Sequence, residues 1–266
     1  DEIEIWTDVD GFMTADPGLV PGAVPIDSLT YDEAFELTHY GANVVYPPTV
    51  KPACRALVPI VIRNTFNPGF LGTVIKESGS TSNINITGVT LLTDLVLLKL
   101  EGNEFTDSLG VTGRVYSLLA RNKVEVVLAS QASAGNSISL CIHSDRALEI
   151  KAKIEEELRY ELHFGQIKSL GFEQEVSLIA VISENLRNNS TIPGRIFDSL
   201  GRNGVDILSI AQGASMLNLS LVVSKTDEVK ALNVIHDAFV NDEDRQKDTA
   251  EATALCNCGL RYVSMG

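Results

Sequence analysis

Apolar positions along this chain follow helical and strand rhythms in turn, and one block of them occurs twice. Val111, Val115, Leu118 and Leu119 are spaced i, i+4, i+7, i+8, the stripe of an amphipathic helix. Asn122-Lys123 turns the chain after the last apolar position, and the β-branched run Val124 to Ala129 predicts a strand. A polar turn leads to a second strand at Ile138 to Ile142, and Asp145 to Leu162 reads as a helix with Ile150, Ile154 and Leu158 inward. The order then returns. Ile192, Ile196 and Leu200 share a helical face, Asn203-Gly204 turns the chain, and strands follow at Val205 to Ile210 and Leu219 to Val223. A helix at Thr226 to Phe239 closes the block, with Val229, Leu232, Ile235 and Phe239 inward. Strands at Leu95 to Leu100 and Val176 to Ile182 precede the two first helices. The offset is constant at 81 positions, from Gly113 to Gly194 as from Gln131 to Gln212, and Arg114/Arg195, Leu119/Leu200 and Asn122/Asn203 are also identical pairs. Self-similarity at a fixed period marks a duplicated structural unit. Each unit reads β-α-β-β-α, one strand short of the ferredoxin-like βαββαβ arrangement. The unassigned strand Ile86 to Leu92 suggests that the first unit is inserted into the second.

Upstream of the repeats, a strand that includes Ile3 and Ile5 runs into the polar loop Thr7-Asp8-Val9-Asp10-Gly11, followed by Thr14-Ala15-Asp16-Pro17. Hydroxyls and carboxylates therefore collect at the C-terminal end of a strand, where α/β sheets bind ligands; the bland reading is a polar loop. Tyr31 to Tyr40 predicts a helix with Ala34, Leu37 and Tyr40 inward, stopped by Gly41. Val50 to Ala56 predicts a short helical piece, Pro59 to Arg63 a buried strand, Asn64 to Gly69 a turn, and Ser78 to Asn83 a flexible linker.

Composition narrows the function classes. A formal net charge of −14 argues against a nucleic-acid surface, which needs clustered Lys and Arg. There is no apolar run of membrane-spanning length and no signal-peptide pattern. Cys54, Cys141, Cys256 and Cys258 are too sparse for a disulfide framework, so a reducing cytoplasm is expected. Cys256-Asn-Cys258 lacks the second pair a metal site needs, and no metal is expected.

The quoted residues carry a resemblance. Trp6 to Pro17, the Tyr31-Asp-Glu-Ala-Phe-Glu-Leu helix, Tyr40-Gly-Ala-Asn-Val-Val-Tyr-Pro47 and Ile62-Arg-Asn-Thr-Phe-Asn-Pro68 resemble the end of an aspartate kinase catalytic domain. The repeats resemble the paired ACT regulatory domains of the same enzymes, most of all the threonine-sensitive type fused to homoserine dehydrogenase. The resemblance implies an α/β (α+β) fold in which the C-terminal part of an amino-acid-kinase domain, 1–82, precedes two ferredoxin-like ACT units, 95–168 inserted into 86–94 plus 169–240. The tail 241–266 is unassigned, and no dehydrogenase glycine fingerprint occurs in it. For the intact enzyme the resemblance implies ATP and Mg²⁺ as cofactors, with Thr7, Asp8 and Met13 matching positions at the nucleotide. Gly18 and Asn43 stand where relatives carry an arginine and a lysine, removing cations that phosphoryl transfer uses. The Lys-Phe-Gly-Gly-type loop of these kinases does not occur, so the chain by itself is expected to be catalytically inactive.

The ACT resemblance further implies a cytoplasmic homodimer that binds a free amino acid between paired units. Gln131 and Gln212 match the effector contacts, with backbone amides from Thr106 to Val111 and Asn188 to Ile192 receiving the carboxylate. Threonine is the favoured effector and lysine the second. Ala134-Gly135 and Ser215-Met216 stand where many relatives carry Ser-Glu. The alternative is an ACT module that only dimerises.

Overall fold

The short apolar run Ile60-Val61-Ile62 forms the centre of the first sheet. In the computed structural model, which describes residues 2–42, 44–78, 86–103, 107–132 and 137–240, strand β3 (Ile60–Asn64) pairs in parallel with β1 (Ile3–Thr7). On its other side β3 pairs antiparallel with β4 (Thr73–Lys76), and β2 (Ser28–Thr30) lies outside β4 in parallel. Both edge positions of this order, β1-β3-β4-β2, leave the apolar centre on β3, where Ile60 and Ile62 are fully buried. Helix α1 (Tyr31–His39) starts at a capping box: the Thr30 hydroxyl accepts from the Glu33 N–H, and the Glu33 carboxylate accepts from the Thr30 N–H. Ala34, Leu37 and Tyr40 are buried, as the helical spacing requires. Helix α2 (Pro47–Ala56) has prolines in its first turn, where no donor is needed, and ends on Leu57 in the left-handed region.

The second sheet has six strands in the order β6-β7-β5-β8-β10-β9. Its members are β5 (Gly88–Gly102), β6 (Val126–Ala132), β7 (Ser137–His143), β8 (Ile167–Ile182), β9 (Ile207–Gln212) and β10 (Asn218–Ser224). The helices are α3 (Ser108–Arg121), α4 (Ala147–Glu157), α5 (Arg159–His163), α6 (Thr191–Arg202) and α7, which occupies 228–240. The 81-residue offset survives in the backbone. β7 and β10 begin and end at equivalent positions, α3 and α6 end at Arg121 and Arg202, and the side chains of Asn122 and Asn203 donate to the Leu118 and Ser199 carbonyls. Arg114 reaches the Glu157 carbonyl and Arg195 the equivalent Ala238 carbonyl, so each repeat uses its arginine to tie its two helices together.

Several expectations are corrected here. The strands expected at Ile86 to Leu92 and Leu95 to Leu100 form one strand, β5, which turns at Asp94 in the left-handed region (φ 58°). Its equivalent Glu175 (φ 56°) turns β8, whose first half, from Ile167, went unpredicted because Lys168, Ser169, Gly171, Gln174 and Glu175 break any apolar rhythm. These two long strands supply the missing strand of each repeat. The order β6-β7-β5-β8 and the order β9-β10-β8-β5 are both ferredoxin-like, and the first repeat is inserted into the second. The expected helix over Asp145 to Leu162 is divided at Leu158, and Val229, expected inward, is exposed because the buried stripe of α7 runs through Ala231, Leu232, Ile235, His236 and Phe239. The expected linker from Gly79 on, and the tail from residue 241, lie outside the described residues.

Contacts divide the chain into two compact units. One comprises Asp1–Thr90, Val181–Gly204 and the chain from Leu232; the other comprises Leu91–Ala180 and Val205–Ala231. In the latter, Leu98, Val115, Leu119, Leu140, Ile150, Ile154 and Leu158 close a core between the sheet and α3–α4.

Candidate functional site

Parallel pairing of β1 and β3 puts Thr7 opposite Asn64 at their C-terminal ends. The loop that follows β1 is fastened there. Asp10 accepts from Asn64 Nδ2 at 2.8 Å and from Asn67 Nδ2 at 3.2 Å, and the Thr65 N–H donates to the Thr7 carbonyl at 2.8 Å. Thr7 and Asp8 are brought together, hydroxyl to carboxylate at 3.1 Å, and Asp8 is exposed. Met13 lies further along the loop, half-buried, in an isolated bridge with Pro25. Between them the chain is pinned from below: the buried Thr73 hydroxyl receives the Phe12 N–H and donates to the Ile26 carbonyl. At Gly18 the backbone N–H folds onto Asp16 Oδ1, 2.8 Å away. Asn43 lies outside the described residues. Asp10 was not singled out in the sequence; the Asn64-Thr-Phe-Asn67 turn beside it was the available signal.

The loop has a second anchor that no local pattern announces. Thr14 Oγ1 accepts from the Val24 N–H at 3.0 Å and meets His236 Nε2 of α7 at 2.8 Å. His236 is 1% exposed, and its Nδ1 has no partner. Burial pushes its pKa down, only partly opposed by Asp237, whose carboxylate is 4.0 Å from Nδ1. The neutral ring is therefore the folded-state form. With the folded pKa below the unfolded value of about 6.5, the unfolded chain binds the extra proton first, so stability is retained above that pH and lost below it. We expect thermal stability to fall as pH drops below about 6.5, with a slope contribution of up to about 1.4 kcal/mol per pH unit from this one group. Melting His236→Gln across pH 5 to 8 should show that part of the slope removed; an unchanged slope would refute the assignment.

The repeat glutamines occupy equivalent places. Gln131 lies near the end of β6, opposite Ile138, and Gln212 ends β9, opposite Leu219. Both are exposed, and β6 and β9 are the two edges of the six-stranded sheet. Val111 and Ile192, by contrast, send buried side chains inward from the first turns of α3 and α6. Their amides are engaged locally: the Val111 N–H donates to the Asp107 carbonyl at 2.9 Å, and the Ile192 N–H to the Asn189 carbonyl at 3.3 Å. The helix starts differ in charge. The N-cap Asp107 of α3 receives the Gly110 N–H on Oδ1 at 3.1 Å, whereas the N-cap Ser190 of α6 makes no side-chain capping bond and Asn189 before it receives the Thr191 N–H on Oδ1 at 3.0 Å. Residues 104–106 and 133–136, which include Thr106 and Ala134-Gly135, lie outside the described residues.

Among the described residues there is no His/Cys/Asp/Glu group that could hold a metal ion and no helix long and apolar enough to cross a membrane. Cys141 is fully buried in β7, and desolvation pushes its thiol up to about 12. Cys256 and Cys258 lie outside the described residues.

Comparison with known proteins agrees with this layout. Residues 1–64 match the model of the amino acid kinase family and residues 179–239 that of the ACT domain. The bifunctional aspartokinase/homoserine dehydrogenase of Haemophilus influenzae is 33% identical over 240 residues, covering 90% of this chain and 29% of that protein. The aspartokinase of Saccharomyces cerevisiae is 32% identical over 257 residues, covering 89% of this chain and 48% of that protein. The chain thus spans between about a quarter and a half of the length of the relatives it matches. Among solved structures, Clostridium acetobutylicum aspartate kinase superposes with a TM-score of 0.76 at 26% identity, covering 89% of this chain and 53% of that one. E. coli aspartokinase III, solved with aspartate and ADP, superposes with a TM-score of 0.73 at 25% identity, covering 89% and 52%. In sequence and in fold, the chain has the makeup of the aspartokinases: the end of an amino acid kinase domain followed by paired ACT repeats.

Proposed function

We propose that this chain is the amino-acid-sensing, feedback-inhibited portion of an aspartate kinase that phosphorylates L-aspartate with ATP to 4-phospho-L-aspartate. The observation that carries the sensing role is the pair of exposed glutamines, Gln131 and Gln212, at equivalent ends of the two edge strands. Strands β6 and β9 also lie against each other within the chain, so the two glutamine-bearing ends are close to one another. Gln131, Gln212, Val111 and Ile192 are the effector contacts of this reading, and a homodimer is part of it. ATP with Mg²⁺ belongs to the whole enzyme, near Thr7, Asp8 and Met13; E. coli aspartokinase III was solved with aspartate and ADP. The ACT boundaries that fit this reading follow the equivalent kinks at Asp94 and Glu175, about 95–174 for one unit and 86–93 with 176–240 for the other, because the expected boundary at 168/169 would cut β8 two residues after its start.

Threonine is the favoured effector, because a glutamine amide both donates to and accepts from a hydroxyl. Losing that bond in a closed pocket costs about 1–3 kcal/mol, or roughly one to two decades in affinity. Calorimetric titration of the chain with threonine, lysine and methionine is the test. Gln131→Ala and Gln212→Ala should each weaken threonine by about 10- to 100-fold with little change in melting temperature. No threonine binding, or binding indifferent to both substitutions, would overturn the assignment and leave a dimerisation module.

A further inference from the structure

Glu33 stands out as a buried carboxylate whose helix-capping duty occupies only half of it. Oε2 accepts from the Thr30 N–H and the Thr30 hydroxyl, each at 3.0 Å, while Thr30 Oγ1 accepts from the Glu33 N–H at 3.1 Å. That closed box satisfies the start of α1 with a single carboxylate oxygen. The other oxygen, Oε1, accepts from the Thr87 hydroxyl and from the Glu184 N–H, the latter at 3.2 Å. Four uncharged donors from three separate stretches of chain therefore converge on one side chain that is 5% exposed. All of these residues lie within the same compact unit. The Glu184 carboxyl is held above the usual carboxylate range, chiefly by burial and next by the charge of Glu33, which agrees with the closeness of the two groups.

Glu184 opens the single turn Glu184–Arg187 ahead of α6. From there the hydrogen bonds are continuous: the Asn188 and Asn189 N–H groups donate to the Asn185 carbonyl at 3.2 and 2.9 Å, and Asn189 caps the Thr191 N–H. We propose that Glu33 is the positioning residue that couples this loop, which leads into the effector-binding turn proposed at Ile192, to the kinase segment at the start of α1. The proposal rests on the effector reading given above for the pocket, but the Glu33 link itself does not. Moving the loop away removes one of the two bonds to Oε1 and takes the acceptor from the Glu184 N–H, which is unfavourable beside a buried carboxylate. The loop and the head of α1 are therefore favoured to shift together. His236 and Thr14 make a second polar junction between α7 and the same kinase segment.

Hydrogen exchange of the full chain, read peptide by peptide, tests the coupling. Glu33→Gln keeps the size of the side chain but replaces one accepting oxygen by a donor, so both oxygens can no longer serve their four partners. Without ligand, exchange should speed up by about tenfold or more both over 30–34 and over 184–189. Thr30→Ala opens the capping box but spares Oε1, so it should speed up 30–34 alone; this separates coupling from general loosening. With threonine added, the wild-type chain should slow exchange over 188–192 and also over 30–34, while Glu33→Gln should slow only the first. Unchanged exchange over 184–189 in Glu33→Gln, or a threonine response at 30–34 that survives it, overturns the coupling. If threonine affects neither segment of the wild type, the effector reading fails, and the ligand-free comparison still decides the link.

Discussion

Gly72→Ala should destabilise the four-stranded sheet by at least about 3 kcal/mol. Gly72 has φ +76°, where an L side chain is strained, and a Cβ built there would lie 1.8 Å from the Ile62 carbonyl oxygen. Ile62 is in the central strand β3 and pairs with Thr73, the residue after Gly72, so the clash is with a ladder that cannot move without unpairing. Thr73 in turn holds Phe12 of the loop after β1. The damage therefore reaches the proposed nucleotide end of the sheet. Gly69→Ala is the control: nothing lies within 4 Å of its added Cβ, and the residue is exposed, so the change should stay within about 0.5 kcal/mol. Trp6, the chain's single tryptophan, lies on β1 opposite Arg63 of β3 and reports this sheet by fluorescence during urea unfolding. Equal midpoints for the two variants would refute the steric argument.

A second large effect is expected at Phe239. Its ring is 1% exposed, and the Arg195 guanidinium lies 4.5 Å from the ring centroid while bonding to the neighbouring Ala238 carbonyl. Phe239→Ala should cost about 3–5 kcal/mol through the cavity and lost contacts. The repeat supplies the milder comparison. Leu158 holds the equivalent position in the first repeat, fully buried, where Arg114 pairs with Glu161 instead of an aromatic ring. Phe239→Leu therefore imports a side chain already used at this place in the fold and should cost about 1.5 kcal/mol or less beyond its lost cation–π contact. Urea midpoints followed by circular dichroism, with exchange over 228–240 to localise the loss, distinguish the two. Indistinguishable Ala and Leu variants would mean that the ring is not a packing element.

The repeat made the helix ends legible because identical asparagines, Asn122 and Asn203, end both helices with the same side-chain bond. Apolar spacing likewise found the buried faces of α1, α3, α4 and α6, since burial follows helical period. It failed where burial was not periodic. β2 and β4 have three and four residues, too few to show an alternation, and the polar first half of β8 has none. Val229 misled because it is three residues before Leu232, on the flank of the stripe. Thr7, Asp8, Gln131 and Gln212 are proposed as site residues on local motifs, the duplication and the family resemblance. Glu33 and His236 were not singled out, because their partners Glu184, Thr87 and Thr14 are distant in sequence and no local pattern records a long-range hydrogen bond.

The insertion of one repeat into the other also sets an order of events during synthesis. The half of β5 at Leu95–Glu101 pairs with β7, which follows soon after it in the chain. Its beginning must wait: the Thr87 N–H takes the carbonyl of Ile182, at the far end of β8. At about 5–20 residues per second on a ribosome, that partner emerges roughly 5–20 s later. For that interval the Val89 N–H can already meet the Thr14 carbonyl, but the β8 side of Val89, Leu91 and Leu92 has its mate not yet made. A neighbouring nascent chain on the same message, slightly further along, already displays an identical β8. Strand exchange between such chains would yield an interlocked dimer, and the speed of translation through 103–182 becomes a determinant of how much of it forms.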